Sequence, residues 1–207
     1  MIFKQETQIL KCTFEKEHFS KVKAAFKDRW PVVYIIEDDE KGQAYIGEST
    51  NICTRICDHW NNTERRALKN IYIIFNKVFN KSVILDLEAF LIGYIVADGK
   101  YRLQNGNGGQ HVHNYYLRDE YQREFRHIWQ LLQDEGVVRH GITLLENQDL
   151  FKYSPYKILN LDQFNVAVQI LTDLKSDLGN NNQSRSFIID GGAGTGKSIL
   201  GIYLLKL

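Results

Sequence analysis

The chain holds 207 residues, enough for one large domain or two small ones. Its 26 basic and 25 acidic residues leave a formal net charge of +1. That balance excludes a global basic field, so a polyanionic partner would have to be met by a local patch. Three cysteines exclude a disulfide framework. The longest apolar stretch, Val83 to Ala97, is broken by Asp86 and Glu88 and is too short to cross a bilayer, so no membrane partner is expected.

The opening MIFKQETQ lacks a charged region followed by an apolar run. No signal peptide is therefore expected, and a reducing cytoplasm is the expected setting. Residues 1–30 read as a packing arm, with Lys16 to Phe26 an amphipathic helix that presents Phe19, Val22 and Phe26 on one face. Val32-Val33-Tyr34-Ile35-Ile36 has the apolar, β-branched and aromatic character of a buried strand. Asp38 to Gly42 forms a charged turn, and Gln43 to Gly47 is the return strand of a hairpin. Ser49, Thr50 and Asn51 then offer capping oxygens to a helix on which Arg55 and His59, four apart, share a face. Cys53 and Cys57 lie on the same helix, and Cys12 is remote. Zinc would need more ligands than that pair supplies, so all three read as small buried apolar residues.

Asn61-Asn62-Thr63 breaks the pattern, Glu64 to Leu68 makes a short turn or helix, and Ile71 to Phe75 is a strong strand. Ser82 is placed to cap a helix from Val83 to Asp98 that is apolar nearly all round and ends at Gly99. Glu88 sits within it. A carboxylate on so apolar a helix needs a partner, either an arginine or a metal ion. Arg65, Arg66, Lys69, Lys77 and Lys81 make either a local anion-binding patch or a solvated face. Asn105 to Gly109 is rich in turn residues, and His111 and His113 share a side if extended, as a surface pair or half of a metal site. Asp119 to Gln133 is a helix with Tyr121, Phe125, Ile128, Trp129 and Leu132 on one side. Residues 134–157 are irregular, with a short strand expected at Ile142 to Leu145.

From Pro31 to Asn105 the chain resembles the GIY-YIG nucleases. The first tripeptide is Val32-Val33-Tyr34, which departs from the family's name at its first two positions but keeps the tyrosine. The second, Tyr45-Ile46-Gly47, is intact, and Arg55, His59, Glu88 and Asn105 follow in the family's order. The resemblance implies an α+β fold with a small three-stranded antiparallel sheet flanked by helices. It also implies a metal-dependent endonuclease that hydrolyses phosphodiester bonds, with DNA as the substrate. Glu88 would hold Mg²⁺ or Mn²⁺, and Arg55 would place a fixed charge on the phosphate. Tyr34 would be the general base, with Tyr45 and His59 as rivals for proton handling. Gly47 would allow close approach, and Asn105 would brace the site. The competing readings are ordinary strand packing for the two tyrosines and a nucleic-acid-binding module without catalysis.

The last fifty residues carry a second signal. Phe187 to Asp190 reads as a short buried strand, Gly191 to Ser198 as G-x-x-x-x-G-K-S, and Ile199 to Leu205 as a helix. Glycines such as Gly191, Gly194 and Gly196 let backbone N–H groups point into one concavity, Lys197 neutralises phosphates, and Ser198 offers a hydroxyl to Mg²⁺. A helix from Leu159 to Leu178 precedes this loop, followed by a flexible 179–183 connection. Its Gln163 resembles the glutamine that reads adenine before the P-loop of superfamily 1 helicases. The alternative is a solvent-facing glutamine on a capped helix. A working ATPase needs further strands and a second acidic motif. The expectation is therefore the start of a helicase-like, ATP-binding domain in a longer protein, with no hydrolysis by these residues alone. The expected order is an arm at 1–30, a GIY-YIG-like domain at 31–115, a helical linker at 116–157 and a truncated P-loop α/β segment at 158–207.

Overall fold

The computed structural model describes residues 7–26, 29–105, 108–110, 112, 114–147, 161–179, 186–192, 195 and 197–204. They divide into two compact units, residues 1–142 and 143–207.

The first unit is built on a five-stranded mixed sheet in the order β1-β4-β2-β3-β5. Strand β2 (Val32–Asp38) and β3 (Gln43–Ser49) form the expected hairpin, with Tyr34 opposite Gly47 and Ile36 opposite Tyr45. At its turn Asp38 Oδ1 accepts the N–H groups of Glu40 and Lys41 at 3.1 and 3.2 Å, and Gly42 takes a φ of 60°. β4 (Asn70–Phe75) pairs antiparallel to the other side of β2. All of β2 is buried because both its faces are covered, which is why it reads as a continuous apolar run rather than an alternation.

Two strands exceed the expected three. β1 (Gln8–Thr13) runs antiparallel to β4 along its whole length, so part of the expected packing arm is an edge strand. β5 (Arg102–Leu103) pairs parallel to β3 through Gln43 and Ala44. A two-residue strand is too short to show any period, and β1 carries Gln8 and Lys11, polar residues that an edge strand tolerates.

One face of the sheet is covered by a short 3₁₀ turn (Lys16–His18), α1 (Phe19–Ala25) and α2 (Ile52–Asn61). Phe14, Phe19, Val22, Phe26, Ile52 and Ile56 pack there against Tyr34, Ile36, Tyr45 and Ile73. Asn51 caps α2 by accepting the Thr54 N–H. A one-turn helix α3 (Thr63–Arg66) follows, capped by Asn62.

The long α4 (Lys81–Asp98) packs on β2 and β3. Its cap is Asn80, whose Oδ1 accepts the Val83 N–H at 3.1 Å, and not Ser82, which lies inside the first turn. Gly99 closes it with a φ of 68°, a left-handed conformation that glycine adopts without strain.

α5 (Arg118–Asp134) buries the five expected residues, Tyr121, Phe125, Ile128, Trp129 and Leu132. It is not free-standing. Phe125 packs on Phe90 of α4 and Trp129 on Tyr94, each pair with ring centroids 5.6 Å apart. Asp98 ties the following loop down by accepting the N–H groups of Arg139 and His140. Most of the segment expected as a linker therefore lies in the first unit.

Ile142 begins α6 (Ile142–Asn147), a helix where a strand was expected. In the second unit, α7 (Leu161–Gly179) and α8 (Lys197–Leu204) pack through Ala167 and Leu200, with Val166, Ile189 and Leu204 against them. The strand expected at Phe187 to Asp190 is not formed: the segment has no ladder, and Ile188 is 93% exposed. A strand needs a neighbour for its backbone groups, and none exists for this one among the described residues. Among the described residues no helix is long and apolar enough to cross a membrane.

Candidate active site

The hairpin and α2 bring one cluster together. Tyr34 is fully buried on β2, and its hydroxyl lies 2.6 Å from His59 Nε2 and 3.3 Å from Arg55 Nε. The spacing of Arg55 and His59 places both side chains over the same tyrosine. Gly47 stands opposite Tyr34, and a Cβ at this position would overlap the Tyr34 hydroxyl oxygen. The final glycine of Tyr45-Ile46-Gly47 is thus required by the tyrosine end of the first tripeptide.

The tautomer of His59 follows from its second partner. Arg65 Nη1 lies 3.2 Å from His59 Nδ1 and can only donate, so Nδ1 is the acceptor. Burial, with the charges of Arg55 and Arg65 beside it, pushes His59 down to about 3, so the ring is neutral near pH 7. Its single proton is then on Nε2, directed at the Tyr34 oxygen. That oxygen accepts from both His59 and Arg55, which leaves its own O–H to point elsewhere. Burial pushes the Tyr34 phenol up, opposed by Arg55.

Tyr45 packs against the same histidine, with ring centroids 4.8 Å apart, and the Arg65 guanidinium lies over the Tyr45 ring at 4.0 Å. Arg65 is therefore part of the site, although its sequence context marked it only as one of several surface cations. The expected basic patch is mostly committed to internal partners. Lys69 pairs with Glu40 and Asp38, Lys81 with Glu48, and Arg66 stacks on Trp60.

Asn105 is a brace. Its Oδ1 accepts the Ile46 N–H at 3.0 Å and its Nδ2 donates to the Ile46 carbonyl at 2.7 Å. These bonds satisfy both backbone groups of β3 just past the end of β5, and they fix the Tyr45-Ile46-Gly47 backbone as a further strand residue would.

Glu88 is half-buried on α4 and is pushed up to about 7 by burial and the nearby Glu48 carboxylate, with Lys81 and Arg55 pulling the other way. Glu48 follows Gly47 directly. Lys81 holds its Oε1 at 2.5 Å, while Oε2 is buried with no hydrogen-bond partner. A hard divalent cation fits this donor set of two neighbouring carboxylates, one disfavoured as a charge and the other with one oxygen left over. Among the described residues no group of three or more His, Cys, Asp or Glu could hold a metal. A cation here would depend on Glu88 and complete its shell with water and substrate oxygens, as Mg²⁺ commonly does. His111 and His113 lie outside the described residues.

Residues 31–95 match the GIY-YIG catalytic domain. The match contains Tyr34, Tyr45, Gly47, Arg55, His59 and Glu88 and stops before Asn105. No curated protein and no solved structure matches the chain. A GIY-YIG domain implies a nuclease, and hence a nucleic-acid substrate.

In the second unit Lys197 Nζ donates to the carbonyls of Gly191 and Gly192 at 2.6 and 2.7 Å. Gln163 Nε2 donates to the Thr195 carbonyl at 3.0 Å, so α7 places this glutamine against the glycine-rich loop. A groove of about 200 Å³ lies between them, with Val166, Ile189 and Leu200 in its wall. Gly194, Gly196 and the Ser198 side chain lie outside the described residues.

Proposed function

We propose that the first unit is a metal-dependent endonuclease that hydrolyses DNA phosphodiester bonds. The observation that carries this reading is the convergence of Arg55 and His59 on the oxygen of Tyr34, with Glu88 on the adjoining helix. Mg²⁺ or Mn²⁺ bound at Glu88 would supply positive charge to the scissile phosphate and the leaving oxygen.

The chain's own residues do the rest. Arg55, half-buried and fixed on Tyr34, faces the phosphate with a charge that needs no reorganisation. Tyr34 is the general base for the attacking water. It acts as the phenolate: its proton passes to solvent before the attack, against the effect of burial. The two hydrogen bonds donated to its oxygen stabilise the phenolate, which then takes a proton from the attacking water. His59, neutral and already spending its proton on Tyr34, positions that oxygen and does not compete with it as a base. Tyr45 contacts both His59 and Arg65 and orients the histidine. Nicking of supercoiled plasmid with Mg²⁺ or Mn²⁺, wild type beside Glu88→Ala, tests the reading. Equal cutting by both proteins would sink the metal assignment. A nucleic-acid-binding module would bind in a salt-dependent way without cutting under any metal.

The second unit is read as the opening of a helicase-like ATP-binding domain. Gln163 against the Thr195 carbonyl and Lys197 against the loop carbonyls support it, because both side chains of the motif already meet at the loop. Lys197 would exchange its carbonyl partners for phosphate oxygens, and Gln163 would meet the adenine edge. All three cysteines are free thiols, as a cytoplasmic setting would leave them, though each is half-buried where full burial was expected.

A further inference from the structure

We infer that Trp30 is a stacking platform for an unpaired base of the substrate strand, with Arg29 and Lys77 meeting the phosphates of that strand. The inference rests on the nuclease reading for its substrate class. Trp30 is 40% exposed, yet its indole N–H donates to the Asn76 carbonyl at 2.8 Å. That carbonyl is firmly placed. Asn76 is buried, its Nδ2 donates to the Thr7 hydroxyl and its Oδ1 accepts the Val78 N–H. The one polar atom of the indole is therefore committed to the protein, and the ring surface left open is carbon. A side chain already anchored also loses less conformational freedom when a ligand covers it.

Position and charge define the occupant. β2 begins two residues after Trp30, where Val32 lies opposite Ser49 of β3 and Phe75 of β4. Trp30 thus stands at the end of the sheet that carries Tyr34, Gly47 and Glu48. Four residues of chain from Trp30 to Tyr34 span at most ~14 Å. At ~3.4 Å per nucleotide along a strand, that is about four nucleotides. Arg29 and Lys77, the chain neighbours of Trp30 and Asn76, are both exposed, and neither side chain has a partner among the described residues. Lys77 is the cation of the expected basic patch that stays uncommitted. Arg29 holds a φ of 52°, a left-handed conformation disfavoured for a residue with a Cβ, and no contact of its guanidinium among the described residues offsets this. An open aromatic ring among uncommitted cations is the arrangement that binds single strands: the cations meet phosphates and the ring takes a base of any identity. An apolar peptide would leave both cations unmatched, and a free phosphate would not use the ring. Within a duplex the faces of a base are covered by its neighbours. The substrate that uses Trp30 is therefore DNA with an unpaired stretch within about four nucleotides of the cut.

The test is fluorescence anisotropy of two short labelled strands on the full chain in EDTA, where no metal-dependent cutting occurs. One is oligo-dT, and the other is an abasic strand of the same length. Oligo-dT should bind about tenfold tighter than the abasic strand. Trp30→Ala should remove that preference, and Trp30→Phe, which keeps a ring, should retain most of it. Arg29→Ala combined with Lys77→Ala should weaken both strands alike and lower the salt slope of binding by ~1.4, or ~0.7 per cation. Oligo-dT should also quench tryptophan emission in wild type but not in Trp30→Phe, because Trp129 is buried and Trp60 packs against Phe14 and Phe19. Equal affinity of wild type for the two strands would overturn the inference, as would an undiminished preference in a Trp30→Ala protein whose thermal melt matches wild type. Should Trp30→Ala fail to fold, the quench in wild type against Trp30→Phe decides the matter. Base-dependent binding without nicking under Mg²⁺ would defeat the nuclease reading and leave the platform standing, and nicking without base-dependent binding would do the reverse.

Discussion

The Tyr34 site and the glycine-rich loop are held in opposite ways. Around Tyr34 the contacts join residues far apart in the chain: Tyr34 to His59, Ile46 to Asn105 and Tyr34 to Gly47 across the hairpin. Tyr34, Ile46, Gly47 and His59 sit on elements anchored in a buried core, and Asn105 lies just past the end of β5. Around Lys197 the bonds mostly span a few residues, from Lys197 to Gly191 and Gly192 and from Thr195 to Gly192, and all are exposed. Among the described residues Gln163 reaches in from further off. The first site is over-determined and the second is a local turn on a small apolar contact. A functional side chain in the first site should therefore be hard to move without cost, and one in the second easy.

The sharpest break of that comparison is chemical. Glu88→Ala should lower cleavage by at least ~10²–10³-fold, the cost of removing one charge-stabilising group from a preorganised site. The circular-dichroism melt should stay close to wild type, because Glu88 lacks the dense hydrogen bonding of Asp98 or Asn105. Residual metal-dependent cutting would move the metal to Glu48, whose free carboxylate oxygen lies beside it.

A packing test comes next. Gly47→Ala would drive a Cβ into the Tyr34 hydroxyl, and the tyrosine is fully buried and cannot swing away. Overpacking of this kind costs ~1–3 kcal/mol. At ~2–4 °C per kcal/mol for a chain of this size, the melting temperature should fall by several degrees, and cleavage should fall with it as Tyr34 is displaced. Wild-type stability and cutting in the Gly47→Ala protein would mean that Tyr34 is free to move.

Protonation offers a subtler probe, because two groups of the site oppose each other. Glu88 is raised from 4.5 to about 7. A carboxyl raised in the folded state adds stability fully present below its unfolded value, and this is lost as pH rises through about 7. His59 is lowered from 6.5 to about 3, so its contribution is present above 6.5 and is lost as pH falls toward 3. Without metal the two slopes partly cancel between about pH 4.5 and 6.5. Glu88→Gln should expose the histidine slope, with urea midpoints rising from pH 4 toward 7. His59→Gln should expose the opposite slope, falling over the same range. Parallel profiles for the two variants would show that the paired environments are misassigned.

How far the sequence spoke depended on the length of the contacts involved. The hairpin and the shared face of Arg55 and His59 were legible because each follows a fixed spacing on a regular element, whereas the Asn105 brace was legible only through the GIY-YIG resemblance. Arg65 and Glu48 were not, since nothing in their neighbours announces that one stacks on Tyr45 or that the other borders Glu88. They enter the site through tertiary packing of α3 and α4. β1 and β5 were missed for a related reason: an edge strand or a two-residue strand is defined by its partner rather than its own pattern. The converse holds at Phe187 to Asp190. Its sequence is a good strand, but a strand is a property of a pair, and the neighbour is missing among the described residues. The more specific of the two motifs thus has the weaker scaffold.

That asymmetry sets the smallest predicted effects. Gly191→Ala would bring a Cβ to 2.9 Å from Thr195 Oγ1, an exposed hydroxyl that can rotate away, so stability should change by no more than about 0.5 kcal/mol. Lys197→Ala removes two exposed hydrogen bonds to loop carbonyls and should be equally mild for the melt. Its effect should appear in binding alone. Affinity for a fluorescent ATP analogue should fall about 10–100-fold, the value of a hydrogen bond to a charged group, while plasmid nicking stays at the wild-type rate. Unchanged nucleotide affinity would reduce the motif to a glycine-rich turn. A loss of nicking in Lys197→Ala would be the more informative failure, since it would couple a locally held loop to a site built on the other unit.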